Sequence, residues 1–332
     1  MQADTGPFME KKTVIGIDVG GTHMRSALVD SRCTILQRRR TTTEISLGTA
    51  HVSRKLVLEC RALVQEAAEM GASVAAVGLG VAGKIDAARG TVVFSPNLPA
   101  MRNFPLAREL ETGLGLPVTI ENDANVFGLG ESRAGAGRGV RNWIGITLGT
   151  GVGGCLILDG RLWQGDGLGF VGEIGHMIVW PGGCRCACGA SGCLEAYASG
   201  RALVEGIRDA EARGELPEAD LHRLHARGEL TPEDVYRHAR AGDALACSVF
   251  RRMGRALGLA LANLCTVLGL RNAVIGGGVS GSWDQFIEHL KESLAENARM
   301  FEPDEMVITR SLLGDDAALI GAAQTALGLG KV

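Results

Sequence analysis

This sequence predicts an α/β fold of two duplicated units, each built on a mixed sheet. Three observations carry that prediction. Short β-type runs alternate with helical stretches along the chain. A strand, glycine turn and strand occur twice at one fixed offset. Glycine supplies 48 of the 332 residues, about twice its usual share of roughly 7%, and it clusters behind apolar runs. There the backbone must turn tightly or approach a ligand closely.

The elements follow in order. Val14 to Val19 reads as a strand, Gly20-Gly21-Thr22 as a turn, and Met24 to Val29 as the returning strand. Arg38-Arg39-Arg40 follows it and reads as a solvated turn. Arg54 to Met70 has helical apolar spacing. Ser73 to Leu79, Thr91 to Phe94 and Pro117 to Ile120 are strands, and Asn122 or Asp123 caps a helix from Ala124 to Arg133. Asn142 to Leu148 and Cys155 to Leu158 flank a turn at Gly149 to Gly154. Residues 201–247 are mostly helical, and Ser248 to Leu268 is a long apolar helix. Ala273 to Ile275 is a strand entering Gly276-Gly277-Gly278, with Ser280 or Ser282 capping a helix from Trp283 to Ala295. Met306 to Ile308 is a last strand and Ala317 to Leu327 a closing helix.

The repeat appears on shifting the chain by 129 residues without gaps. Ile15 to Gly20 then falls on Ile144 to Gly149, and Leu28-Val29-Asp30 on Ile157-Leu158-Asp159. Two such hairpins suit a polyphosphate held through backbone N–H groups. The plain alternative is two tight hairpins in one sheet.

Composition narrows the function. Net charge is −3 with no basic patch, so nucleic acid is not an expected partner. No apolar stretch reaches the roughly 20 residues a membrane span needs. Met1 to Lys12 lacks the apolar core of a signal peptide and reads as a tail. A cytoplasmic location is the expectation.

Two segments match G-x-G-x-x-G, Gly78 to Gly83 and Gly149 to Gly154. Neither opens a helix, so neither is a dinucleotide fingerprint, and no P-loop is present. Asp18 closes a strand beside two glycines, where an acid either binds Mg²⁺ near phosphates or caps the turn. Glu121-Asn122-Asp123-Ala124-Asn125 puts carboxylates at a strand end, well placed to take a proton from an attacking alcohol.

Four of nine cysteines, Cys184, Cys186, Cys188 and Cys193, fall within ten residues. With His176 the set His176, Cys186, Cys188 and Cys193 makes a closed, structural type of zinc site, although Cys184 is an alternative to Cys186. A loop pinned there fixes Glu173 and Glu195, which either accept sugar hydroxyls or support the metal. Gly276-Gly277-Gly278 either admits a ribose or simply joins strand to helix.

IGIDVGGT, ENDAN, LGTGVGG, GEIGH, CACGASGCLE and AVIGGGV stand in the order that resembles the ROK family of repressors and sugar kinases. The resemblance covers nearly the whole chain from Val14. It implies a two-lobed, actin-like ATPase (ribonuclease H-like) fold with ATP and sugar in the cleft. The lobes would be residues 13–123 with 315–332 and residues 124–314, the zinc loop being 176–193, after a tail of 1–12. It implies Asp123 as catalytic base and Gly83, Asn97, Asn122, Glu173, His176 and Glu195 as further sugar residues. Asp18, Gly20, Gly21, Thr22, Gly149, Thr150, Gly151, Gly276, Gly277 and Gly278 would serve Mg²⁺ and ATP.

The resemblance points to transfer to the 6-hydroxyl of a hexose, most of all glucose, with N-acetylmannosamine or N-acetylglucosamine as alternatives. It also implies a homodimer or homotetramer. Cys155 departs from it, since many relatives have a third glycine there. A sugar-responsive repressor would carry a helix-turn-helix domain ahead of the first hairpin, and only 13 residues precede Val14. An ATPase without transfer would hydrolyse ATP regardless of sugar.

Overall fold

The computed structural model describes residues 11–167, 169–215 and 219–328. Residues 1–10 of the expected tail lie outside them. The chain divides into two compact units, residues 1–139 with 160–171 and 315–332, and residues 140–159 with 172–314.

In the first unit β1 (Lys11–Val19), β2 (His23–Asp30), β3 (Ile35–Thr42), β4 (Ala72–Val81) and β7 (Val118–Asn122) form one sheet in the order β3-β2-β1-β4-β7. β1, β2 and β3 run antiparallel in sequence, while β4 and β7 add parallel to β1. β5 (Lys84–Asp86) and β6 (Thr91–Phe94) make a separate hairpin. Side chains alternate across the sheet with period two. Ile15, Ile17 and Val19 pack with Val52, Leu56 and Leu63 of α1 (Thr49–Glu69) and with Leu106 and Leu110 of α2 (Leu106–Leu114). Val14 and Ala27, on the other face, meet Leu319 and Ala323 of α10 (Asp316–Ala326).

Helix α10 can lie this close because glycines face it. A Cβ on Gly16 would stand 2.0 Å from the Leu319 carbonyl oxygen, and one on Gly78 1.8 Å from that of Ala322. On its other flank α10 meets α3 (Asp123–Ala134). There a Cβ on Gly321 would be 1.7 Å from the Val126 oxygen, and one on Gly130 2.0 Å from that of Ala317. This packing puts α3 in the first unit. The division therefore falls at Gly139 rather than after Asp123.

The second unit repeats the plan. β8 (Trp143–Leu148) and β9 (Val152–Leu158) form an antiparallel hairpin, and β11 (Asn272–Gly276) and β12 (Val307–Arg310) add parallel to β8. The two-residue strand β10 (Arg161–Leu162) belongs with the first unit. Helices α4 to α7 are Glu195–Ala198, Gly200–Ala212, Ala219–Ala226 and Pro232–Ala241. The long α8 (Ala244–Leu268) and α9 (Trp283–Asn297) approach closely, because Gly254 and Gly258 face the carbonyls of Phe286 and Leu290.

The gapless repeat holds for the first strand of each hairpin and slips in the second. Ile15 pairs with Leu28, but Ile144 pairs with Leu156 rather than Ile157. A one-residue slip exchanges the faces of a strand, so Leu28 corresponds to Leu156. The arginine run also differs from its reading as a turn. Arg38 to Arg40 lie in edge strand β3, which α1 and α10 supply with acids. Arg38 pairs with Asp316 at 2.5 Å, and Arg39 on the opposite face pairs with Glu59 and Glu66, each at 2.9 Å. Strand β3 and helix α2 were not expected from the sequence.

Gly321→Ala tests the glycine seat. It should lower stability by about 3 kcal/mol or more through overpacking, while Gly281→Ala, with open space around it, should leave the urea midpoint nearly unchanged. Equal midpoints for the two variants would remove the argument.

Candidate functional site

The first glycine turn is braced from a distance in sequence. Gly20 N–H donates to the His23 carbonyl at 3.0 Å. Thr43, fully buried, donates its hydroxyl to the Gly20 carbonyl at 2.6 Å and its N–H to the Thr22 carbonyl at 2.8 Å. A Cβ on Gly21 would touch Asn97 at 3.4 Å, so Asn97 stands beside this turn. Asp18 does not cap the turn. Its Oδ2 accepts from Arg25 Nη2 at 2.6 Å and Nε at 3.2 Å, and Arg25 Nη1 reaches Asp315 at 2.5 Å.

The junction of β7 and α3 carries the densest polar network. Asn122 is the N-cap, its extended backbone (φ −64°, ψ 145°) letting Oδ1 accept from Ala124 and Asn125 N–H. Such a cap contributes about 1 kcal/mol. Asn122 Nδ2 donates to the Gly83 carbonyl at 3.0 Å. Gly83 holds φ +115°, and a Cβ there would lie 2.3 Å from the Phe94 oxygen. Asp123, half-buried, opens α3 and accepts from Ala124 N–H at 3.0 Å through Oδ1. Gly83, Asn122 and Asp123 are thus brought together within the first unit. The buried Glu121 carboxylate accepts from Asn122 N–H, Asn125 Nδ2 and Gln164 Nε2.

The second glycine turn is also braced. Gly149 N–H donates to the Gly151 carbonyl, and the Gly149 carbonyl accepts from Gly200 N–H at 2.7 Å. Glu195 Oε2 accepts from Val152 N–H at 3.0 Å, and a Cβ on Gly151 would meet that oxygen at 2.5 Å. Glu195 therefore holds the turn, a role the sequence did not suggest. Its Oε1 lies 3.7 Å from Cys186 Sγ. Cys155, buried in β9 opposite Gly145, lies beyond the turn. Gly277, at φ +84°, packs under Leu148, whose carbonyl oxygen would be 2.4 Å from its Cβ. Gly278 has open space around it. Ser282 occupies the N-cap of α9 but makes no side-chain cap bond, and Ser280 does not cap it either.

His176, Cys186, Cys188 and Cys193 converge, their ligand atoms all within 4.8 Å of one another. Cys186 Sγ stands 3.8 Å from His176 Nδ1, and Cys188 Sγ 3.7 Å from Cys193 Sγ. A tetrahedral ion with bonds of about 2.3 Å to sulfur requires edges of about 3.8 Å, so this donor set fits a metal. Burial pushes the Cys186 thiol up to about 12, and burial also raises Cys193. A bound cation would reverse both shifts by favouring thiolates. Cys184 is not in the group. Its N–H donates to the Tyr197 hydroxyl at 2.7 Å, and Trp180 packs edge-on against the Tyr197 ring. Gly192 lets the loop close, since a Cβ there would be 1.9 Å from the Trp180 oxygen. Glu173 Oε2 is 3.9 Å from His176 Nε2.

Thr43, Arg25 and Gln164 escaped the sequence reading. Thr43 is 23 residues from Gly20 and carries no local pattern. Arg25 was visible only as the residue opposite Asp18 in the hairpin register.

The ROK family model matches residues 14–328. The glucokinase of Streptomyces coelicolor is 36% identical over 319 residues, covering 94% of this chain and 96% of that protein. The N-acetylmannosamine kinase of Salmonella typhi is 32% identical over 317 residues, covering 95% and 99%. The crystal structure of a ROK family glucokinase from Streptomyces griseus, in complex with glucose and AMPPNP, matches with a TM-score of 0.80 at 35% identity, over 95% of this chain and 99% of that one. The fold is the actin-like ATPase fold of ROK sugar kinases, and the chain belongs to the ROK family.

Proposed function

We propose that this chain is an ATP-dependent hexose kinase that phosphorylates the 6-hydroxyl of glucose. The observation that carries the reading is the β7–α3 junction. There the Asp123 carboxylate starts a helix whose cap, Asn122, is fixed at Gly83. Asp123 takes the proton of the 6-hydroxyl as that oxygen attacks the γ-phosphorus of ATP in line; the bond to ADP breaks and ADP leaves. Gly83, Asn97, Asn122, Glu173, His176 and Glu195 orient the sugar. Gly20, Gly21, Thr22, Gly149, Thr150 and Gly151 offer backbone N–H groups to the phosphates, and Gly276 to Gly278 face the adenosine.

Mg²⁺ supplies charge neutralisation on the β- and γ-phosphates when bound. Asp18 would hold it. A single carboxylate already paired with Arg25 suits a hydrated ion carried by phosphates better than a dedicated cage. Zinc is the metal for His176, Cys186, Cys188 and Cys193, and its role is structural. The four protein ligands leave no open position for substrate. It pins the loop that bears Glu195 and so supports the second glycine turn. The enzyme works in the cytoplasm, where the loop thiols stay reduced, as a homodimer or homotetramer. Among the described residues no helix is long and apolar enough to cross a membrane. N-acetylmannosamine or N-acetylglucosamine is the second reading of the substrate, favoured by the N-acetylmannosamine kinase relative.

ADP release with Mg·ATP, measured across glucose, mannose and the two N-acetyl sugars, should be fastest with glucose. Equal rates with and without every sugar would end the kinase reading. Asp123→Asn should lower kcat by about 10²–10⁴-fold and keep glucose binding; full turnover in that variant would sink the assignment of the base. Elemental analysis should find zinc in the wild type and in Cys184→Ser, but not in Cys193→Ser. Equal zinc in both variants would refute the ligand set.

A further inference from the structure

Glu121 carries a carboxylate in β7 that is only 7% exposed. Acids are rarely buried unless a cation pairs with them. Among the described residues no cation pairs with this one. Its three donors are neutral, Asn122 N–H at 2.8 Å and Asn125 Nδ2 at 3.0 Å on Oε1, and Gln164 Nε2 at 3.0 Å on Oε2. Asn125 is itself buried, and its Oδ1 has no partner. Its amide is therefore committed to Glu121 through nitrogen alone.

The effect is to clamp Asn122 at three atoms. Its N–H is held by Glu121, its Oδ1 by the first N–H groups of α3, and its Nδ2 by the Gly83 carbonyl. Asp123 follows directly on that clamped residue. Gln164 comes from residues 160–171, which meet β5 at two further points. Gly169 has φ +72°, and its Cβ would fall 2.5 Å from the Ile85 oxygen. Lys84 Nζ lies 5.0 Å from the Phe170 ring centroid.

We infer that Glu121 is the positioning residue for Asp123, and that Gln164 ties the 160–171 segment to the same carboxylate. The inference rests on the reading of Asp123 as the base. The value of Glu121 lies in the geometry it imposes. One carboxylate with two acceptor oxygens fixes a backbone amide, a helix side chain and a distant segment at once. A neutral residue without an acceptor would release all three.

The test uses the full chain with Glu121→Ala, Glu121→Gln, Gln164→Ala and the Glu121→Ala/Gln164→Ala pair. Readouts are kcat, KM for glucose and Mg·ATP, melting temperature, and hydrogen exchange over residues 121–125. Glu121→Ala should lower kcat at least about tenfold, leave KM for Mg·ATP unchanged, and speed exchange at Asn122 and Asn125. Glu121→Gln keeps one acceptor oxygen and should restore part of kcat; it also replaces the alanine variant if that one does not fold. Gln164→Ala should give a smaller loss, and the pair should lose no more than Glu121→Ala alone. Wild-type kcat in Glu121→Ala, or a lost kcat with unchanged exchange over 121–125, would overturn the inference. A lowered melting temperature with unchanged kcat would overturn it too. If the wild type phosphorylates no sugar, the functional reading fails by itself. Exchange in the variants then still decides whether Glu121 fixes the junction, since faster exchange sustains the clamp and unchanged exchange removes it.

Discussion

Closing the first unit depends on backbone meeting backbone without side chains between. Helix α10 comes from the far end of the chain and lies against β1 and β4 only because Gly16 and Gly78 present no Cβ to the Leu319 and Ala322 carbonyls. The same helix reaches α3 through Gly321 and Gly130. Protein interiors are packed to near crystal density, so such contacts leave little room for adjustment. The seat therefore fixes two regions together. One is the end of β1, with Asp18 and the first glycine turn. The other is α3, with Asp123 at its start.

Electrostatics follow from that seat. Asp316, in the first turn of α10, meets the favourable end of the helix dipole and takes Arg38 from β3. Asp315 just ahead of it takes Arg25, which also holds Asp18. An edge strand rich in arginine is thereby tied to the helices that flank its sheet, and its charges discourage pairing with another chain. Exposed pairs of this kind each contribute little to stability; the pair that bears on Asp18 is the one from Arg25.

Both glycine turns are braced by a residue that no local pattern announces. Thr43 holds the first with a hydroxyl and an amide. Glu195 holds the second with a carboxylate oxygen, while its other oxygen faces Cys186. In that way the cysteine loop and the second turn share one side chain. A metal that orders the loop also orders the turn, as residues around metal sites commonly carry such coupling.

By itself the sequence determined which pieces exist. Short apolar runs made β1, β4, β7, β8 and β11 legible, and glycine after all of them but β7 marked the turns. The polar run behind β7 announced the cap at Asn122, and cysteine spacing announced the cluster with His176. These are local signals, written in neighbouring residues. Tertiary structure decided what depends on residues far apart in the chain. Helix α10 drew α3 into the first unit, and a one-residue slip in β9 aligned Leu156 with Leu28. Pairing with β2 made a strand of the three arginines read as a turn, and acids from α1 and α10 took two of them, Arg39 and Arg38. Convergence of ligand atoms chose Cys186 over Cys184, and Val152 claimed an oxygen of Glu195. The physical reason is common to all of these. Spacing along a chain encodes which face a residue lies on, but not which partner the fold brings to that face.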